Sequence, residues 1–225
     1  DLLREETKLG ECARLYSLYS VYGKCLLIGC GVQAFQQLVG INTAMYYGPD
    51  ILITAGLTIP GFTDEKAALL LNIPLAFVNA VGTLIACLYI DKFGRRYLML
   101  RTLPISCFGW LITALGMYLN GYTSAEATGS YMAFTGIIVF LCSFSLGMSA
   151  TPWTVNTEIY PLHVIGTANS LSTTTNWTTN FIVATLFLIF LETPLGAVLS
   201  FLALAAFAAL CWLFVYGLLP ETANR

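Results

Sequence analysis

The stretch QAFQQLVGIN places Gln33, Gln36, Gln37 and Asn42 within ten residues of an otherwise apolar run. At 3.6 residues per turn, positions 33, 36, 37 and 40 share one helical face and point together. Further carboxamides stand in apolar surroundings at Asn79, Asn156, Asn176 and Asn180. A carboxamide offers two N–H donors and an acceptor oxygen without charge, and inside a bilayer each of these must be paired. That chemistry suits a neutral polyhydroxylated ligand, whose hydroxyls also donate and accept. Trp153 and Trp177 fit the same reading, because an indole can lie against the C–H face of a sugar ring and offer its N–H. The competing reading is that the carboxamides only glue helices together, at about 0.6 kcal/mol each. Three Gln and one Asn in ten residues favour the polar cavity.

Other chemistries find no support. The chain has one histidine, His163, and neither an HExxH nor a GxSxG motif. No pair of carboxylates falls inside an apolar run, so general acid–base work has no candidate groups. The seven cysteines are odd in number and show no CxxC or Cys/His ligand spacing; six of them (Cys25, Cys30, Cys87, Cys107, Cys142 and Cys211) lie within apolar stretches and read as small core residues. No enzyme activity, metal or cofactor is expected.

The elements that position these residues follow from composition. The 225 residues are 57% hydrophobic and 10% charged, where soluble domains carry about a quarter charged residues. Mean hydropathy is +0.76. Charge-free windows run over 25–49, 67–90, 102–125, 127–157, 159–191 and 193–220. Each is long enough for the ~20 residues a helix needs to cross a bilayer. The expected fold is an all-α membrane protein of six transmembrane helices, which excludes a soluble enzyme, a nucleic-acid binder and a disordered chain. Residues 1–24 are expected to form a cytoplasmic linker helix region, 25–219 the six membrane spans and 220–225 the start of a cytoplasmic tail. The sequence opens on Asp1 and reads as a piece of something longer.

Six spans leave both ends on one side. Nine of the ten Lys and Arg residues fall on that side, with Lys66 alone opposite, so the positive-inside rule puts both termini in the cytoplasm. Gly40, Gly48 and Pro49 are expected to interrupt the first span, and Gly147, Pro152 and Pro161 to interrupt or end the fourth. Broken helices free backbone groups at transporter binding sites. Pro74 and Pro104 have no polar cluster beside them and read as ordinary kinks.

These residues resemble the second half of the sugar porters of the major facilitator superfamily. QQLVGINTAMYYGPDIL is similar to their seventh span, DKFGRR at 91–96 to the loop after span eight, PWTVNTEIYPL at 152–162 to span ten and NWTTNF at 176–181 to span eleven. PET at 220–222 is similar to the start of their tail. The motifs occur in family order over essentially the whole chain. The resemblance implies spans seven to twelve of a twelve-span fold. Within the family the first and third motifs most resemble the proton/myo-inositol symporters, with facilitative hexose carriers as the alternative.

Carried over by position, the resemblance implies that Gln36, Gln37, Asn42, Asn79, Trp153 and Asn176 line the substrate site, with Gln33 and Trp177 beside it. It assigns Tyr46 and Tyr47 to an external gate, and Asp91, Arg95, Arg96 and Glu158 to a cytoplasmic charge network. The implied partners are a polyol or sugar, the lipid bilayer, an N-terminal six-span half and protons; the implied location is the plasma membrane. A different class of function, a truncated six-span module that regulates or assembles with a transporter, stays open. Three departures stand out. Ile165 sits where the family has Arg, Ser149-Ala150 where it often has Gly-Pro, and Ala223-Asn224-Arg225 where it has Lys-Gly. Asn176-Trp177-Thr178 forms a glycosylation sequon, but lies mid-span.

Overall fold

A computed structural model describes residues 19–54, 59–123 and 126–223. Its helices are α1 (Gly23–Leu38), α2 (Ile41–Thr54), α3 (Asp64–Phe93), α4 (Arg95–Tyr122), α5 (Glu126–Gly147), α6 (Thr151–Glu158), α7 (Ile165–Leu191) and α8 (Pro194–Leu218). They make six stretches long and apolar enough to span a membrane, the first joining α1 to α2 and the fourth joining α5 to α6. Most of the linker region lies outside the described residues, as do the last two tail residues.

The two broken spans set the site. In the first, the break falls at Val39–Gly40, where Gly40 adopts φ +97°. A Cβ there would stand 2.9 Å from a Leu204 methyl and 3.2 Å from the Trp110 ring, so glycine is needed for both conformation and space. The Val39 carbonyl accepts from the Trp110 indole N–H at 2.7 Å. Gly48 and Pro49, expected to interrupt this span, are instead carried inside α2, which continues to Thr54. Likewise α3 and α4 run unbroken through Pro74 and Pro104.

In the fourth span Pro152 supplies no N–H, so the Met148 carbonyl has no partner one turn on. The chain leaves the helix over 148–150, and the side chain of Gln36 satisfies the freed groups. Its Nε2 donates to Met148 O at 2.8 Å and Ser149 O at 2.9 Å. Sequence distance has no bearing here: a carboxamide from the first span repairs a proline break in the fourth.

Packing holds these breaks in place. Trp110, fully buried on α4, stacks on Phe140 of α5 (centroids 4.1 Å apart) and on Phe201 of α8 (5.5 Å). Gly109 and Gly116 of α4 face Gly136 and Gly129 of α5 so closely that added Cβ atoms would meet backbone within 3 Å. Close backbone approach through small residues is how helices associate without a hydrophobic driving force.

The DKFGRR segment is not an extended loop. α3 runs through Asp91 to Phe93 and α4 starts at Arg95, with Gly94 (φ 88°, ψ 152°) alone between them. Only glycine occupies that region comfortably. A Cβ at Gly94 would also lie 2.6 Å from a Glu221 carboxylate oxygen. Gly94→Ala should therefore lower the thermal midpoint of the detergent-purified protein by about 3–8 °C, read by intrinsic fluorescence.

Candidate functional site

Five of the residues expected at the substrate site join in one hydrogen-bonded cluster across α1, α2 and α7. Asn176, on α7 and almost fully buried, is its centre. Its Nδ2 donates to Gln33 Oε1 (2.7 Å), Gln33 O (3.0 Å) and Gln36 Oε1 (2.9 Å), while its Oδ1 accepts from Gln37 Nε2 (2.9 Å). Gln37 Oε1 in turn accepts from Asn42 Nδ2 at 2.8 Å, and Asn42 also donates to Asn180 Oδ1 at 2.9 Å. The helical face predicted from positions 33, 36 and 37 is the face turned to α7, and all three glutamines are buried. Gly40, the fourth position of that face, turns the chain so that Asn42 rejoins the cluster.

Capacity remains after these bonds. Gln33 Nε2 is buried without a partner. Gln37 makes one donated and one accepted bond, leaving an N–H and a lone pair unused. Unfilled donors beside unfilled acceptors are what a hydroxyl pair would engage.

The remaining candidates are arranged around this cluster rather than in it. Asn79 lies on α3, its Oδ1 buried and unpartnered. One turn away, Thr83 donates to Asn79 O (2.8 Å) and accepts from Ser149 Oγ (2.9 Å), at the break where Gln36 is anchored. Trp153 on α6 and Trp177 on α7 are 40% and 56% exposed, standing on faces that this chain does not cover. Tyr47 stacks on Phe187 at 5.7 Å and donates to Ala184 O at 3.4 Å, tying α2 to α7; Tyr46 is half exposed, edge-on to it at 6.3 Å. Asn180, Thr83 and Ser149 were not among the residues assigned to the site from sequence. Asn180 carried a usable signal, since it stands one turn from Asn176 on α7.

At the other end of the spans the structure gathers Asp91, Arg95 and Glu158. Arg95 Nη2 pairs with Asp91 Oδ1 and with Glu158 Oε1, each at 2.6 Å. The Asp91 side chain is 83% exposed and so strongly screened, whereas that of Glu158 is 28% exposed. The Glu158 contact is therefore the stronger of the two. Arg96 is not part of this group: it turns away, donating to Tyr216 O at 2.8 Å with its guanidinium 5.8 Å from the Tyr216 ring.

The tail supplies what sequence reasoning left unassigned. Thr222 donates to Glu158 Oε2 at 2.6 Å, and Glu221 accepts from the backbone N–H of Arg95 (2.8 Å) and Tyr97 (3.3 Å). Glu221 thus caps the positive end of α4, which would otherwise carry two arginines against its dipole. Burial alone would raise the Glu221 carboxyl, but the backbone N–H groups around it outweigh that and hold it below its ordinary value. Ile165, where the family has Arg, packs with Tyr160 and Val164 instead.

Comparison with known proteins bears on what this arrangement is for. The family model described as sugar (and other) transporter matches residues 4–225. The chain belongs to the sugar transporter family. Among its curated relatives, Membrane transporter D1 of Leishmania donovani is 35% identical over 201 residues, covering 88% of this chain and 35% of the relative. Myo-inositol transporter 1 of Cryptococcus neoformans is 33% identical over 215 residues, covering 89% and 35%. The human proton myo-inositol cotransporter is 30% identical over 285 residues, covering 90% and 43%. This chain thus spans well under half the length of these relatives.

Solved sugar-transporter structures agree on the fold. The proton:xylose symporter XylE bound to 6-bromo-6-deoxy-D-glucose superposes with a TM-score of 0.75 at 24% identity, over all of this chain and 44% of that one. A double Trp mutant of XylE gives 0.74 at 26% identity, over 90% and 41%. The six spans accordingly form the second half of a twelve-span major facilitator fold, integral and multi-pass in the membrane, and belong to a family that is not enzymatic.

Proposed function

We propose that this chain is the C-terminal half of a secondary transporter that moves a neutral polyol, myo-inositol, by alternating access, with protons as co-substrate. The observation that carries the reading is the carboxamide cluster around Asn176: six uncharged amides from three helices, linked to one another and still holding unused donors and acceptors. A charged substrate would find no counter-ion there, whereas a ring bearing hydroxyls on all sides matches both polarities. The relatives named as myo-inositol transporters support the choice of a cyclitol.

The exposed Trp153 and Trp177 would complete the site against a partnering N-terminal six-span half. That half would also hold the titratable group for proton coupling, because the carboxamide cluster contains none. Both termini then lie in the cytoplasm, and the plasma membrane is the natural location. A hexose is the second reading, favoured by the likeness to a symporter structure bound to a glucose derivative.

Uptake of labelled myo-inositol and of glucose by the full-length protein, with and without an imposed proton gradient, separates these. Saturable inositol uptake that collapses with the gradient is expected. Glucose uptake that inositol does not inhibit would overturn the inositol reading.

A further inference from the structure

The cations left outside the Arg95 network have a place of their own. Among the described residues, every ion pair involves Arg95, so Lys92, Arg96 and Arg101 have no carboxylate within 4 Å. Each instead lies over an aromatic ring: Lys92 over Phe93, Arg101 over Tyr97 and Arg96 over Tyr216. Those rings stand at the end of the helices where the apolar spans begin, 46–60% exposed. Arg96 uses one N–H on Tyr216 O, and its Nε has no partner. The nearby carboxylates cannot neutralise it, because Glu158 serves Arg95 and Glu221 caps α4.

What lies along the bilayer from Arg96 gives the cation a meaning. Positions 96, 100, 103 and 107 form one face of α4, set against 216, 212 and 208 of α8. Trp212 donates to Leu100 O at 3.1 Å and stacks on Tyr216 at 5.3 Å, forming a lintel one ring beyond the guanidinium's own partner. Beyond that lintel the two helices part around an open cavity of about 360 Å³. Leu103, Pro104, Cys107, Ala208, Ala209 and Trp212 are among the residues that line it. Its walls offer nothing for a polar group to bond, so only an apolar chain fills it without loss.

We propose that this cleft between α4 and α8 is a binding site for an anionic phospholipid, with its phosphate at Arg96 and one acyl chain in the groove past Trp212. Lys92 and Arg101, at the same end of the helices, add positive potential along that edge of the membrane and favour net negative lipids over zwitterionic ones. Charge complementarity at one end and an apolar groove at the other belong to the same pair of helices, which a basic edge serving only to set topology does not require. The bound lipid would touch the residue next to Arg95, so its occupancy and the ion-pair network would influence one another.

The test uses the full-length protein in phosphatidylcholine vesicles containing phosphatidylglycerol with brominated acyl chains. The signal is the fluorescence lost from Trp212, taken as the difference between wild type and Trp212→Phe. Quenching by brominated phosphatidylglycerol should exceed that by brominated phosphatidylcholine at equal content, and Arg96→Gln should cut that preference about fivefold, as expected for one basic side chain at an anionic interface. Ala209→Phe, which fills the groove and leaves Arg96 in place, should abolish quenching at Trp212 by either lipid. Equal quenching by the two lipids, or a preference that survives Arg96→Gln, would overturn the proposal.

Discussion

Gln37→Ala should reduce substrate uptake by about 10- to 100-fold while leaving the amount of protein in the membrane unchanged. The magnitudes make this substitution decisive. Within the chain Gln37 makes two bonds, one to Asn176 and one from Asn42. Asn42 keeps a second partner in Asn180, and Asn176 keeps all three of its donated bonds. If Gln37 were only glue, its loss would cost about 0.6 kcal/mol per contact, too little to alter folding or expression. If its spare N–H and lone pair bind substrate hydroxyls, removing them leaves those hydroxyls unpaired in a dry site, at about 1–3 kcal/mol. Uptake initial rates set against surface biotinylation separate the two cases, and unchanged transport would return the cluster to a packing role. Asn176→Ala is the less informative change, because it strands Gln33, Gln36 and Gln37 together and confuses folding with recognition.

Six spans were readable because their cause is local: charge-free runs of bilayer length leave a backbone no alternative to a helix. The glutamine face was readable for the same reason, since a 3.6-residue period needs no knowledge of partners. Of the three residues expected to interrupt the first span, Gly40 does so, while Gly48 and Pro49 stay inside α2, because a proline can sit in a helix if neighbours relieve it. What fixes the break at Gly40 is not local at all. It is the Trp110 indole taking the Val39 carbonyl, and Leu204 leaving no room for a side chain. Trp110 in turn gave no sign in sequence, where a tryptophan in an oily helix reads as core or belt.

The same distinction explains the charge cluster. Asp91 and Arg95 stand one turn apart, and their pairing is an i,i+4 matter that the sequence carries. Glu158 reaches Arg95 from 63 residues away, and its placement was inferred only from family likeness. Arg96 was grouped with Arg95 by the same family likeness, yet neighbours on a helix point about 100° apart, and here the two arginines serve different partners. Glu221 and Thr222 were visible as a motif without a role, because a carboxylate that caps a helix 126 residues away leaves no trace in spacing.

Arg95→Leu should abolish net uptake while equilibrium binding of the substrate falls less than about threefold. Among the described residues Arg95 is the one cation in contact with both Asp91 and Glu158, it is 7% exposed, and its loss leaves Glu158 with the Thr222 hydroxyl alone. The carboxamide cluster shares no hydrogen bond with it, and distant sites without shared partners perturb one another little. A purely topological role predicts the opposite pattern: loss of one of several basic side chains on the same face would leave transport intact. Arg95→Lys tests geometry against charge, since a lysine keeps the positive charge but not the second guanidinium nitrogen, Nη1, which donates to Ile90 O at 3.3 Å while Nη2 meets both carboxylates at 2.6 Å. It should restore less than a tenth of the uptake. Binding measured by fluorescence or scintillation proximity, beside uptake in the same vesicles, gives both readings from one preparation. Loss of binding in parallel with uptake would place Arg95 among the residues that hold the fold, and would remove it from the machinery that switches between states.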